Sequence, residues 1–199
     1  MNIASTRRPY RMLARAEAMQ ATADRILDAA IDVFWEQPGD RISLDEVADR
    51  AGVSVQTVIR RFGGRDGLTA AAGDRVAGRV RRQRDEARAG DLRGAVRVLV
   101  DHYEEMGERV LRMLAEEQRV PALREIADRG RDLHRAWCAR VFAPALAGRD
   151  GIERERRLAQ LAAVCDVHTW KLLRQDSGLS RRQTELAVVE LLRPLVEGS

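Results

Sequence analysis

Residues 42–68 read ISLDEVADRAGVSVQTVIRRFGGRDGL, a run in which helix starts and stops follow one another every few positions. Ser43-Leu44-Asp45-Glu46 has the form of a capping box. The serine hydroxyl accepts the backbone N–H of Glu46, and the glutamate reaches back. The pattern predicts a short helix from Leu44 to about Ala51, stopped by Gly52. Ser54 opens a second short helix to about Phe62, and Gly63-Gly64 end it before a longer one runs from Arg65 into the eighties. Two short helices with a small residue, a glycine and an apolar residue at Ala48, Gly52 and Val58 form a helix-turn-helix. Ala48 lets the helices approach closely, and Gly52 takes a positive φ in the turn without steric cost. Val47, Val53, Val58 and Phe62 face inward, which leaves Gln56, Thr57, Arg60 and Arg61 outside with Ile59 at the edge.

Upstream, Ile26, Ala29, Ala30, Val33 and Phe34 recur at helical spacing, so Ala21–Trp35 lies within an amphipathic helix that Pro38-Gly39 ends. Downstream, a joint at Ala89-Gly90-Asp91 leads into longer segments at about Asp91–Glu117, Pro121–Phe142, Ile152–Asp176 and Ser180–Val196. Ser177-Gly178 and Ser180 make the last two antiparallel neighbours. Nothing alternates in the manner of a strand. The expected fold is all-α, an N-terminal three-helix helix-turn-helix head followed by a larger helical-bundle body. The expected division is a basic arm over 1–20, the head over 21–88 and the body over 89–199.

Composition fits a globular chain: 199 residues, 45% hydrophobic and 33% charged. The longest uncharged apolar run, Val141–Gly148, is far short of the ~20 residues a spanning helix needs, so no membrane role is expected. No secretory signal is evident. Two cysteines, Cys138 and Cys165, are too few for a disulfide framework, and a reducing cytoplasm is the expected compartment. The net charge is +4, and residues 1–15 alone hold four arginines and no acid. That segment is either a solvated tail or an arm that touches phosphate.

The outer face of the second short helix has the chemistry of a groove reader. Glutamine pairs with adenine, arginine with guanine, and a threonine methyl meets that of thymine. The whole segment from Ala21 to about Ala71, through ILDAAIDVF and ISLDEVADRAGVSVQTVIRRFGGRDGL, resembles the N-terminal domain of the TetR family of transcriptional repressors. The resemblance implies a head that binds a palindromic double-stranded operator and a body that binds a small molecule and dimerises. The DNA-contacting set expected is Arg7, Arg8, Arg11, Ser43, Ser54, Val55, Gln56, Thr57, Ile59, Arg60, Arg61 and Arg65. Two positions depart from the family pattern. Ile59 stands where relatives carry a phosphate-binding tyrosine, and Arg65 replaces the lysine that opens the fourth helix.

In the body, Leu158, Leu161, Cys165, His168 and Leu172 follow a 3-4-3-4 spacing suited to a partner helix, with Leu186, Val189 and Leu192 joining from the last helix. These are the expected homodimer contacts. Tyr103, Met106, Met113, His134, Trp137 and Cys138 are the expected ligand pocket, for a partly hydrophobic small molecule. No metal or cofactor is expected, because the cysteine and histidine spacings are loose for thiolate sites. No phosphate-binding glycine loop, nucleophile elbow or HExxH supports an enzyme. The competing reading is an all-α enzyme or carrier without specific DNA binding. A narrower one is a constitutive DNA binder whose body only dimerises.

Overall fold

A computed structural model describes residues 7–36 and 43–197. Every regular element among them is helical: α1 Arg7–Glu36, α2 Leu44–Ala51, α3 Val55–Phe62, α4 Arg65–Arg84, α5 Leu92–Glu116, α6 Pro121–Val141, α7 Ala143–Leu146, α8 Gly151–Val164, α9 Val167–Lys171, and α10 Arg181–Glu197. A π-helical turn, Leu172–Asp176, follows α9 directly. The chain divides into one compact unit up to Val76 and another from Ala77, so the division falls inside α4. The Ala89–Asp91 joint lies later, in the loop between α4 and α5.

The first helix starts earlier than periodicity predicts. Residues 7–20 continue α1 without a break, so this part of the basic segment is helix and not a tail. Pro9 falls in its first turn, where a missing N–H is tolerated. Pro38-Gly39, read as its terminator, lies outside the described residues.

The core of the first unit is built from four helices. Ile26, Ala30 and Val33 of α1 meet Val47 and Ala48 of α2, Val58 of α3 and Leu68 of α4, all essentially without solvent exposure. Arg75 ties α4 to α1 through Asp24 at 2.7 Å and Asp28 at 3.2 Å. Arg25 of α1 donates to the carbonyl of Ala51, the last residue of α2, at 3.3 Å.

The second unit wraps α5, α6, α8, α9 and α10 around one core, centred on Leu99, Val100, Cys138, Val141, Leu161 and Leu192. The predicted helix over 152–176 is interrupted. α8 ends at Val164, and Asp166 takes an extended conformation and caps α9 by accepting the N–H of His168 at 2.9 Å. Aspartate is a strong N-cap residue, and here that local preference overrides the continuing apolar period. At Gly107 of α5 an added Cβ would lie 2.5 Å from the Trp170 ring, so α5 and α9 approach at their limit.

Candidate functional site

The turn between α2 and α3 is built by its own residues. Ser43 Oγ accepts the N–H of Glu46 at 3.3 Å, which is the serine half of the predicted capping box. Gly52 closes α2 at φ 66° and ψ 41°, with its N–H returning to the carbonyls of Ala48 and Asp49. No atom lies within 4 Å of a Cβ built there, so the handedness of the backbone and not space requires glycine. Ser54 Oγ then accepts the N–H of Thr57 at 3.3 Å and lies 2.9 Å from the Thr57 hydroxyl.

α3 has one buried residue, Val58. At about 100° per residue, Gln56 and Arg60 lie about 160° round the helix from it, and both are exposed. Thr57 and Ile59 flank them, half-buried and exposed respectively. Arg61 lies about 60° from Val58, nearer the buried side. It is half-buried. By this angle Arg61 lies off the outward face, where the spacing placed it. Ser43 and Val55 are half-buried, while Ser54 and Arg65 are exposed. Of Arg7, Arg8 and Arg11 only the backbone is described, in the first turns of α1.

In the body, the predicted pocket residues meet a residue the sequence did not single out. Arg84, the last residue of α4, is 7% exposed and lies over the rings of Tyr103 and Trp137, 5.6 and 5.2 Å from their centroids. Its Nη2 donates to the Tyr103 hydroxyl at 3.3 Å, and its Nη1 lies 2.9 Å from His134 Nδ1. Neither partner is a carboxylate, and its Nε is buried with no partner. A guanidinium has no acceptor, so His134 Nδ1 must accept, which assigns the ring proton to Nε2. That Nε2 lies 3.1 Å from the Ala162 carbonyl and 3.8 Å from Cys138 Sγ. Trp137 Nε1 and Arg140 Nη2 both donate to the Arg84 carbonyl at 3.0 Å.

Tyr103 completes the cluster by donating to the Cys165 carbonyl at 2.9 Å, at the gap between α8 and α9. The neighbouring Cys165 thiol, more than any other group, holds the Cys138 thiol below its ordinary pKa. The His134 ring and the Arg84 charge act in the same direction, against burial. Cys165 moves up for the reciprocal reason. His102 stands apart, 3.1 Å from Gln83 Oε1, and burial pushes it down to about 3 with help from the Arg84 charge.

Tyr103, Trp137 and Cys138 thus pack as core with His134 half-buried beside them, while Met106 and Met113 are half-buried on α5. Arg84 was hidden by composition: it is one of 34 arginines and falls in an arginine-rich run. Among the described residues no group of three His, Cys, Asp or Glu is placed to hold a metal ion. No helix of the described residues is long and apolar enough to cross a membrane.

The predicted partner seam requires correction. Leu158, Leu161, Cys165, Val189 and Leu192 are all buried within this one chain. The break at Cys165-Asp166 turns the residues after it, so His168 and Leu172 are exposed and do not continue the row. Leu186 is half-buried. The 3-4 spacing marks the side of α8 that fills this chain's own core. Its opposite side, with Ile152, Ala159 and Ala163, is exposed, as is Leu191 on the neighbouring α10.

Residues 26–72 match the profile of the family described as bacterial regulatory proteins, tetR family. A curated relative, the HTH-type transcriptional regulator AlkX of Mycobacterium tuberculosis, is 37% identical over 73 residues. That match spans 36% of this chain and 35% of the relative. Among solved structures, a transcriptional regulator from Rhodococcus superposes with a TM-score of 0.65 at 23% identity, covering 88% of this chain and 96% of its own. A tetR-family regulator from Streptomyces coelicolor gives 0.66 at 20% identity, covering 87% and 81%. A regulator from Pseudomonas aeruginosa gives 0.67 at 18% identity, covering 88% and 90%. At these identities the structural likeness is one of fold.

Proposed function

We propose that the protein is a cytoplasmic DNA-binding transcriptional repressor of the TetR type, a reading supported by the match of residues 26–72 to the family of bacterial regulatory proteins. The observation that carries the reading is the outward face of α3. Gln56 and Arg60, the two side chains suited to base edges, stand opposite the one buried residue of the helix. Ile59, exposed at their flank, offers an apolar contact to a thymine methyl where a tyrosine would offer a phosphate contact. Arg65, exposed at the start of α4, supplies charge for the backbone, as does the basic start of α1 with Arg7, Arg8 and Arg11.

The protein acts as a homodimer on a palindromic operator, whose half-sites mirror the two-fold axis. The partner surface is the exposed side of α8 and α10, with Ile152, Ala159, Ala163 and Leu191, in place of the seam read from spacing. A small, partly hydrophobic molecule bound in the body releases the DNA. It does so by favouring the DNA-incompetent arrangement, and operator must weaken ligand binding by the same factor. Its site lies on the helices that carry Tyr103, Met106, Met113 and His134.

Sequencing the DNA fragments that the purified protein retains from its genome, followed by titration of the enriched fragment, tests the reading. A palindromic consensus and salt-dependent binding are expected. Retention of random fragments would instead favour a helical carrier or enzyme with an incidental basic segment.

A further inference from the structure

Among the described residues, Arg84 Nε is the only buried side-chain nitrogen or oxygen without a hydrogen-bond partner. The guanidinium that contains it is charged at any working pH, yet its hydrogen-bond partners are a phenol and an imidazole, Tyr103 and His134. A cation held out of water is destabilising unless an anion answers it, and the rings of Tyr103 and Trp137 answer it only weakly. The neighbouring carboxylate is turned elsewhere: Asp85 is exposed and pairs with Arg140 at 3.3 Å. The Cys138 sulfur stands at the other nitrogen of the His134 imidazole, 3.8 Å from Nε2, while Nδ1 faces Arg84.

The free donors have a direction. Nε–H and one N–H of Nη2 leave the planar guanidinium side by side, and this is a pair that a carboxylate takes with its two oxygens. Nε is unpartnered, and Nη2 has two N–H groups of which Tyr103 takes one, at 3.3 Å. From this geometry we infer that Arg84 is an anion site, and that the small molecule held in the body is an ionised monocarboxylic acid with an apolar remainder. One fixed cation among neutral partners is balanced by one negative charge, whereas a phosphate dianion would leave a charge buried. Tyr103, Trp137 and Cys138, all of the body's core, suit the apolar remainder. Entry is at His134. That imidazole is half-buried, so solvent reaches the cluster there, and its rotation away from Nη1 frees a further donor for the ligand. The inference rests on the proposed function only in taking the body to hold a ligand.

The test contains no DNA, so its failure and the failure of operator binding are separate results. Thermal unfolding of the full-length protein is followed with hexanoate, benzoate and phenylacetate, each beside its amide and beside sodium chloride at the same ionic strength. At saturation at least one of the acids should raise the midpoint by about 5 °C, and its amide and the chloride should not. Isothermal titration of that acid then compares variants whose folding is checked by circular dichroism. Arg84→Met, which keeps the length and removes the charge, should weaken binding about thirtyfold or more. Arg84→Lys, which keeps the charge, should weaken it too, because a point charge cannot take both oxygens as a fork does. It carries the test if Arg84→Met does not fold. Cys138→Ser should bind as the wild type does. If no acid exceeds its amide, or if chloride gives the same shift, the inference is overturned. Equal affinity in the wild type and Arg84→Lys would overturn it as well.

Discussion

Gly67 shows how much a single residue can fix in the head. A Cβ built there would lie 1.8 Å from the Phe62 carbonyl oxygen, because the start of α4 passes directly over the end of α3. Gly67→Ala should therefore destabilise the protein by about 1–3 kcal/mol, read as a lowered thermal midpoint. An unchanged midpoint would mean that α3 and α4 can separate at no cost. On the proposed function the exposed arginines divide by role. Arg60→Ala should relax base preference at one operator position and cost about 1–3 kcal/mol there. Arg65→Ala should weaken binding to all sequences and reduce the salt slope by about one charge. A change of preference without a change of slope for Arg65→Ala would refute that division. His102 carries a pH signature. Its folded pKa of about 3 lies below the ordinary value of 6.5. Between these limits the unfolded chain binds a proton that the folded chain refuses, so stability falls as pH falls. The drop attributable to His102 should be about 1–2 kcal/mol from pH 6.5 to 5. Denaturant titrations of the wild type and His102→Gln should differ by that slope, and parallel curves would count against it.

At the scale of elements, the break between α8 and α9 reorganises the body. The Asp166 carboxylate accepts the N–H of His168 at 2.9 Å and also lies 2.7 Å from its Nδ1. Asp166→Ala should cost about 1 kcal/mol through the lost cap. The α8 helix has two apolar sides with different fates. Leu158 and Leu161 face the chain's own core, whereas Ile152 and Ala163 face outward. Substitution by arginine separates the two. Leu161→Arg should bury an unpaired charge and unfold the body, because its position has no exposure at all. Ile152→Arg, at a position 77% exposed, should leave helicity intact and shift sedimentation from dimer to monomer. A dimer that tolerates both Ile152→Arg and Leu191→Arg would exclude the α8–α10 face as its contact.

For the molecule as a whole, two units share the helix α4, with Arg65 and Arg75 before the division and Arg84 after it. Each unit has its own core. Removal of residues 1–15 takes away four arginines and no residue described as buried. Folding should survive this deletion, while affinity for any DNA falls, most at low salt. Unchanged affinity would show that the basic start of α1 plays no part in binding.

The sequence by itself determined the helix-turn-helix, because its signals are local. Ser43 and Ser54 cap within three residues, Gly52 turns the chain where only a positive φ will do, and Val58 marks the inner face through a period read along the backbone. It equally determined that the body is helical and roughly where its long segments run. What it left open are matters of which side meets what. The same 3-4 spacing at Leu158, Leu161 and Cys165 serves a partner helix or the chain's own core, and only packing against α6 and α10 decided for the core. The outward turn of Gln56 and Arg60 was legible from the helical period. Arg84, His134, Cys138 and Cys165 sit on two helices and in the gap between two others. No periodicity links them, and one buried arginine among many exposed ones carries no local mark. Their meeting was decided by tertiary structure alone, because desolvation and hydrogen bonding act on neighbours in space and not on neighbours in sequence.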